Sequence, residues 1–193
     1  MPSRSEDPVA AALEHAAILI SQDVREVAAA NPVVLIDGGS GAGKSSLAAR
    51  LVEHWPVTGH VQLVALDSIY PGWDGLDDGV ERALEWILRP HGRGFHGTWR
   101  RWDWERQAEA ESHAVDPALG MIVEGSGILR ASTAGLADVR IWVDSAEPAR
   151  KARALARDGD TYRPHWDRWA AQERRHTERD DPQGLATRII RVP

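Results

Sequence analysis

Eight consecutive residues, Gly38-Gly39-Ser40-Gly41-Ala42-Gly43-Lys44-Ser45, fit the pattern G-x-x-x-x-G-K-[ST]. Each position has a chemical reason. Backbone N–H groups that turn inward around an anion need residues tolerant of unusual backbone angles. A helix opening near Gly43 points its positive end at the same anion. Lys44, one of only two lysines in the chain, can reach terminal phosphates. The Ser45 hydroxyl can ligate Mg²⁺, a hard cation that prefers oxygen. A chance match is the competing explanation. Against it, the pattern lies between an apolar run, "NPVVLID", and a helix-like run ending near His54, the context such a loop requires. The stretch from Gly38 to Ser46 is therefore expected to hold a nucleoside triphosphate.

Four acidic residues follow the same logic. Asp37, Asp67, Glu124 and Asp144 each close a short apolar run. If those runs are parallel strands, all four carboxylates fall on one rim, beyond the carboxyl ends where ligands of such sheets bind. Asp67, at the end of "QLVALD", can orient or deprotonate an attacking hydroxyl; the plainer alternative is a cap for the turn that follows. Glu124 can hold Mg²⁺ directly or through water, or help orient an acceptor, and Gly125 and Gly127 leave backbone room beside it. Its plainer alternative is a solvated strand-end acid. Asp37 and Asp144 read as structural.

The elements that must position these groups can be sketched from periodicity. A helix is expected from about Pro8 to Ala29, with Leu13, Ala17, Ile20, Val24 and Val27 near one face, after a loose start over residues 1–6. Strands are expected at "NPVVLID", "HVQLVALD", "GMIVEG", "VRIWVD" and "TRIIRV". Helices are expected at 43–54, at 77–89 ending before Pro90, at 104–115, at 148–159 with Gly159 near the end, and at 163–180. Strands alternating with helices imply one domain over 1–193, with a parallel sheet covered on both faces.

Composition narrows the function. A net charge of −6 argues against a general nucleic-acid binder. The absence of cysteine excludes disulfides and thiolate metal sites. No apolar run approaches the roughly 20 residues of a membrane span, and no basic leader precedes a long apolar stretch, so a cytoplasmic protein is expected. His91 and His96 have no further ligands at metal-binding spacing. No N-K-x-D guanine motif is present, which removes the switch GTPases, and "MIVEG" ends in one acid where motor ATPases carry a pair.

"GGSGAGKSS", "ALDSIY", "RWDWE", "MIVEGSGIL" and "IWVDSAEPARKARALARDG", in this order over residues 33–160, resemble the uridine kinase-like branch of the phosphate-loop (P-loop) kinases. The resemblance implies a three-layer α/β P-loop NTPase fold with a five-stranded parallel sheet, an acceptor-binding region over 67–115, and a helical lid with its following helix over 146–179. It also implies that Asp67 is placed against the acceptor hydroxyl. Two departures stand out. Ile69 replaces an aromatic residue, and the acceptor segment is rich in tryptophan, with Trp73, Trp99, Trp102 and Trp104.

Arg150, Arg153 and Arg157 are spaced by three and four and so share a helix face. Three cations near the rim can clamp a migrating phosphoryl group; the alternative is a solvated face paired with Glu147 and Asp158. Tyr70 and the tryptophans can stack on a flat acceptor, although most are expected in the core. Trp102 and Trp104 flank Asp103, so an extended backbone sends the two rings one way and Asp103 the other. Tyr70, Trp102 and Asp103 are thus the candidate acceptor contacts, with Asp67. The expected activity is an ATP- and Mg²⁺-dependent kinase of a nucleoside-like alcohol, with GTP open as an alternative donor. The rivals are a kinase of a sugar, vitamin precursor or other small alcohol, and a nucleotide-binding regulatory protein without turnover.

Overall fold

The computed structural model describes residues 7–193; the loose start expected over 1–6 lies outside the described residues. Helix α1 (Pro8–Glu26) opens where Asp7 accepts a hydrogen bond from the Val9 N–H at 3.0 Å, with Pro8 in the first turn. Its buried residues Leu13, Ala17, Ile20 and Val24 recur at helical spacing. Strand β1 (Val33–Gly38) is buried throughout and leads into α2 (Lys44–Glu53). Strand β2 (Val61–Ala65) runs into a 3₁₀ turn, Leu66–Ser68.

Helix α3 (Leu76–Ala83) continues through a π-helical stretch, Leu84–Leu88, into α4 (Arg89–Gly92). The sequence predicts a stop before Pro90. The backbone instead stays helical through Leu88 and Arg89, and the wide π turn, in which the Arg89 N–H donates to the Leu84 carbonyl, lets the helix continue past Pro90.

The largest difference from expectation lies at 97–115. Residues 104–115 are not a helix. They form the turn and second arm of an antiparallel hairpin, β3 (Gly97–Asp103) with β4 (Ala108–Val115). Its Ala, Glu and Gln content favours helix locally, but cross-strand pairs decide the outcome. The Trp99 ring stacks on His113 at 4.6 Å, and Arg101 makes a two-pronged pair with Glu111.

Strand β5 (Gly120–Glu124), short helix α5 (Ala131–Ala134), β6 (Val139–Asp144), α6 (Glu147–Tyr162), α7 (Trp166–Asp180), α8 (Pro182–Leu185) and β7 (Arg188–Arg191) complete the chain. Gly159 interrupts α6 with non-helical backbone, at φ 55°, ψ −133°, where the sequence places the end of that helix, and a short helical stretch follows to Tyr162. The main sheet is parallel, in the order β2-β5-β1-β6-β7. Alternation along β1 builds a core on each face. Val33 and Leu35 pack with Leu66, Leu84 and Trp169. Val34 and Ile36 pack with Ile20 of α1 and Leu47 of α2. The result is the expected three-layer α/β architecture. Among the described residues no helix is long and apolar enough to cross a membrane.

Candidate functional site

The loop between β1 and α2 bends on glycines for two distinct reasons. Gly43 caps α2 at φ 107°, in left-handed backbone. Gly41 lies at φ 76° against α6, where an added Cβ would sit 2.1 Å from the Arg150 carbonyl oxygen. Lys44 is buried, and its ammonium donates to the Gly39 carbonyl and the Ser126 hydroxyl, both at 3.2 Å. Ala42 is buried beneath the loop, and Ser46 is exposed in the first turn of α2.

Ser45 Oγ donates to Glu124 Oε1 at 2.8 Å. Glu124 is buried at the end of β5. Burial raises its carboxyl pKa, while Lys44 pulls it down. The serine hydroxyl and the carboxylate are hard oxygen donors next to a phosphate-binding loop. They suit Mg²⁺, which takes few protein ligands and keeps waters and phosphate oxygens for the rest. No cluster of three or more His, Cys, Asp or Glu side chains that could hold a metal exists among the described residues, so no competing all-protein cage is present there.

Asp37 serves as a bracket. Its buried carboxylate accepts from the N–H groups of Gly38, Gly127 and Leu129 at 2.6–2.9 Å, fastening the start of the loop to the segment after β5. His176 of α7 completes it, with Nε2 2.9 Å from Asp37 and Nδ1 2.9 Å from Asp180.

Asp67 lies in the 3₁₀ turn beyond β2, exposed to a cavity of about 470 Å³. Ser40 of the loop lines the same cavity, so the carboxylate and the phosphate loop face one space. The cavity walls are aromatic: Tyr70, Trp73, Trp104, Tyr162 and Trp169. Trp73 is held by stacking on His165 at 4.3 Å and on Tyr162 at 5.3 Å, with Trp104 tilted against it at 4.8 Å.

The candidate acceptor contacts divide. Tyr70 is a wall of the cavity, but it is fully buried, edge-on to Trp169, and donates its hydroxyl to the Ser126 carbonyl at 2.7 Å. Trp102 and Asp103 do not line the cavity. Asp103 instead accepts from the Glu105 and Arg106 N–H groups at 3.0 Å and closes the hairpin turn. The extended backbone ends at Asp103, so Trp104 follows the turn and not the strand's alternation, and its ring reaches the cavity where that of Trp102 does not.

The arginines of α6 divide too. Arg150 donates to the Ser40 carbonyl at 2.9 Å, and Arg153 to the Gly41 carbonyl at 2.8 Å. Both charges brace the outer, carbonyl side of the loop. Only Arg157 lines the cavity, paired with Asp158 at 2.7–2.8 Å. Trp169, Glu173 and His176 are site residues that sequence patterning misses. They occur at i, i+4 and i+7 on α7, one face of a helix, but nothing local says that this face meets the loop.

No protein-family model matches the sequence, and no curated protein is significantly similar to it. Solved structures are similar in fold. A possible uridine kinase from Bacillus stearothermophilus superposes with a TM-score of 0.68 at 17% identity, over 92% of this chain and 98% of that one. A candidate fructose transport system kinase from Silicibacter sp. TM1040 superposes with a TM-score of 0.55 at 17% identity, over 90% and 91% of the two chains. The chain therefore has the fold of the phosphate-loop kinases.

Proposed function

We propose that the chain is an ATP- and Mg²⁺-dependent phosphotransferase that moves the γ-phosphate to a hydroxyl of a small, flat, nucleoside-like molecule. One observation carries the reading: Asp67 and the loop residue Ser40 line a single aromatic-walled cavity. A hydroxyl placed by Asp67 is thereby aimed at a phosphate placed by the loop. The acceptor ring lies among Trp73, Trp104 and Tyr162, where stacking contributes about 0.5–1.5 kcal/mol per aromatic pair beyond area burial.

Asp67 receives the proton of the acceptor hydroxyl as its oxygen bonds to the γ-phosphorus. The bond from that phosphorus to the β–γ bridging oxygen breaks, leaving ADP and the phosphorylated acceptor. Lys44 and Arg157 stabilise the charge on the transferring group. Arg150 and Arg153 hold the loop in shape. Ser45 and Glu124 would hold Mg²⁺, which supplies charge neutralisation at the phosphate oxygens when bound. A sugar acceptor is the second reading, favoured by the fold likeness to a candidate fructose transport system kinase. Screening nucleosides and sugars for stimulated ADP release tests both. Stimulation by a nucleoside supports the first, stimulation by sugars only supports the second, and ATP binding with no stimulated release by any acceptor contradicts both.

A further inference from the structure

The Glu173 carboxylate sits on the phosphate loop. Its Oε1 accepts from the Ser40 backbone N–H at 2.7 Å, the Ser40 hydroxyl at 2.8 Å, the Ser126 hydroxyl at 2.9 Å and the Trp169 indole N–H at 3.1 Å. Its Oε2 is 3.5 Å from the Arg150 guanidinium. Glu173 is 7% exposed. The Ser126 hydroxyl that bonds it is the same one that receives the Lys44 ammonium.

A buried carboxylate is costly unless its oxygens are satisfied, and four donors on one oxygen meet that cost. Two of the four belong to Ser40, within the loop whose inward N–H groups suit an oxyanion of phosphate. The carboxylate is thus a chemical stand-in for the ligand. Its negative charge also repels a triphosphate arriving at the same donors. Trp169, one helical turn away on α7, lines the acceptor cavity. The anion on the loop and an acceptor wall are therefore carried by one rigid element.

We propose that Glu173 is an internal anion that occupies part of the phosphate seat, and that nucleotide enters by displacing it from Ser40. This rests on the reading of the loop as a triphosphate site. Displacement frees the Ser40 N–H for phosphate, and because the Trp169–Glu173 bond lies within α7, withdrawing Glu173 with its helix shifts the Trp169 wall of the acceptor cavity. A nucleotide and a fully anchored α7 exclude each other.

The test is calorimetric titration of the full chain with ATP·Mg²⁺, comparing wild type, Glu173→Gln and Trp169→Phe. Glu173→Gln keeps the shape and removes the charge, and should tighten binding by about 10- to 100-fold, the range set by hydrogen bonds to a charged group. Trp169→Phe removes one of the four donors, keeps a ring in the wall, and should tighten binding by a smaller factor; it carries the test if Glu173→Gln does not fold. A brace without a gating role predicts a lower melting temperature with nucleotide affinity unchanged or weakened, and that result overturns the proposal while leaving the kinase reading in place. If neither wild type nor variants bind ATP·Mg²⁺, the loop reading falls and the proposal with it. If Glu173→Gln binds more tightly yet no acceptor stimulates ADP release, the proposal stands and the kinase reading falls.

Discussion

The Trp104 indole N–H donates to the backbone carbonyl of Asp67 at 2.7 Å. This bond fastens the tip of the β3–β4 hairpin to the turn that carries the proposed catalytic carboxylate. Trp104→Phe keeps an aromatic wall and removes the bond. A net hydrogen bond is worth about 1 kcal/mol, so kcat/KM for the acceptor should fall about fivefold, with ATP·Mg²⁺ affinity unchanged. Steady-state kinetics in both substrates check it; a loss confined to ATP would place Trp104 elsewhere in the mechanism.

Lys44→Ala should lower turnover by about 10²–10³, the cost of removing one group that stabilises transition-state charge. The fold should persist, because among the described residues the ammonium bonds only the Gly39 carbonyl and the Ser126 hydroxyl. ADP release and a circular dichroism melt, measured on the same sample, check both halves.

How much of this was legible in the sequence follows from the range of each interaction. The loop Gly38–Ser45 was readable because its glycines, lysine and serine act within one turn of backbone. The three central strands were readable as buried apolar runs ending at a punctuating residue, and the edge strands β2 and β7, which are partly exposed, as short runs rich in Val, Leu and Ile. The hairpin was not, because Trp99–His113 and Arg101–Glu111 are pairs across strands that outweigh the helix propensity of Ala, Glu and Gln. For the same reason Trp102 was expected at the acceptor and Trp104 is the one found in the cavity wall: the turn begins one residue after Asp103. Glu173 carries no local signal at all. Its partner Ser40 lies 133 residues away, and only the packing of α7 joins them.

His176 gives a pH dependence. Burial opposes its charge, but hydrogen bonding and attraction from Asp37, with a further hydrogen bond from Asp180, outweigh burial, and its pKa is raised; Arg130 opposes weakly. A raised folded pKa means that the charged imidazolium stabilises the fold. That contribution is fully present below the ordinary histidine value of about 6.5 and is lost as pH rises through the raised folded value. His176→Gln should remove this alkaline loss from the melting-temperature profile above about pH 6.5, the ordinary histidine value. A variant whose profile still falls in parallel with wild type would assign the dependence to another group.

The central claim is that Asp67 places an acceptor hydroxyl for phosphoryl transfer, and the most direct measurement is acceptor-stimulated ADP release by Asp67→Asn beside its affinity for ATP·Mg²⁺. The variant keeps the shape of the side chain and loses its charge. Turnover should fall by about 10²–10⁴, the range for a positioned general base, while nucleotide affinity stays at the wild-type value. A folded Asp67→Asn protein that phosphorylates its acceptor at the wild-type rate would contradict the account and leave Glu124 as the carboxylate to test.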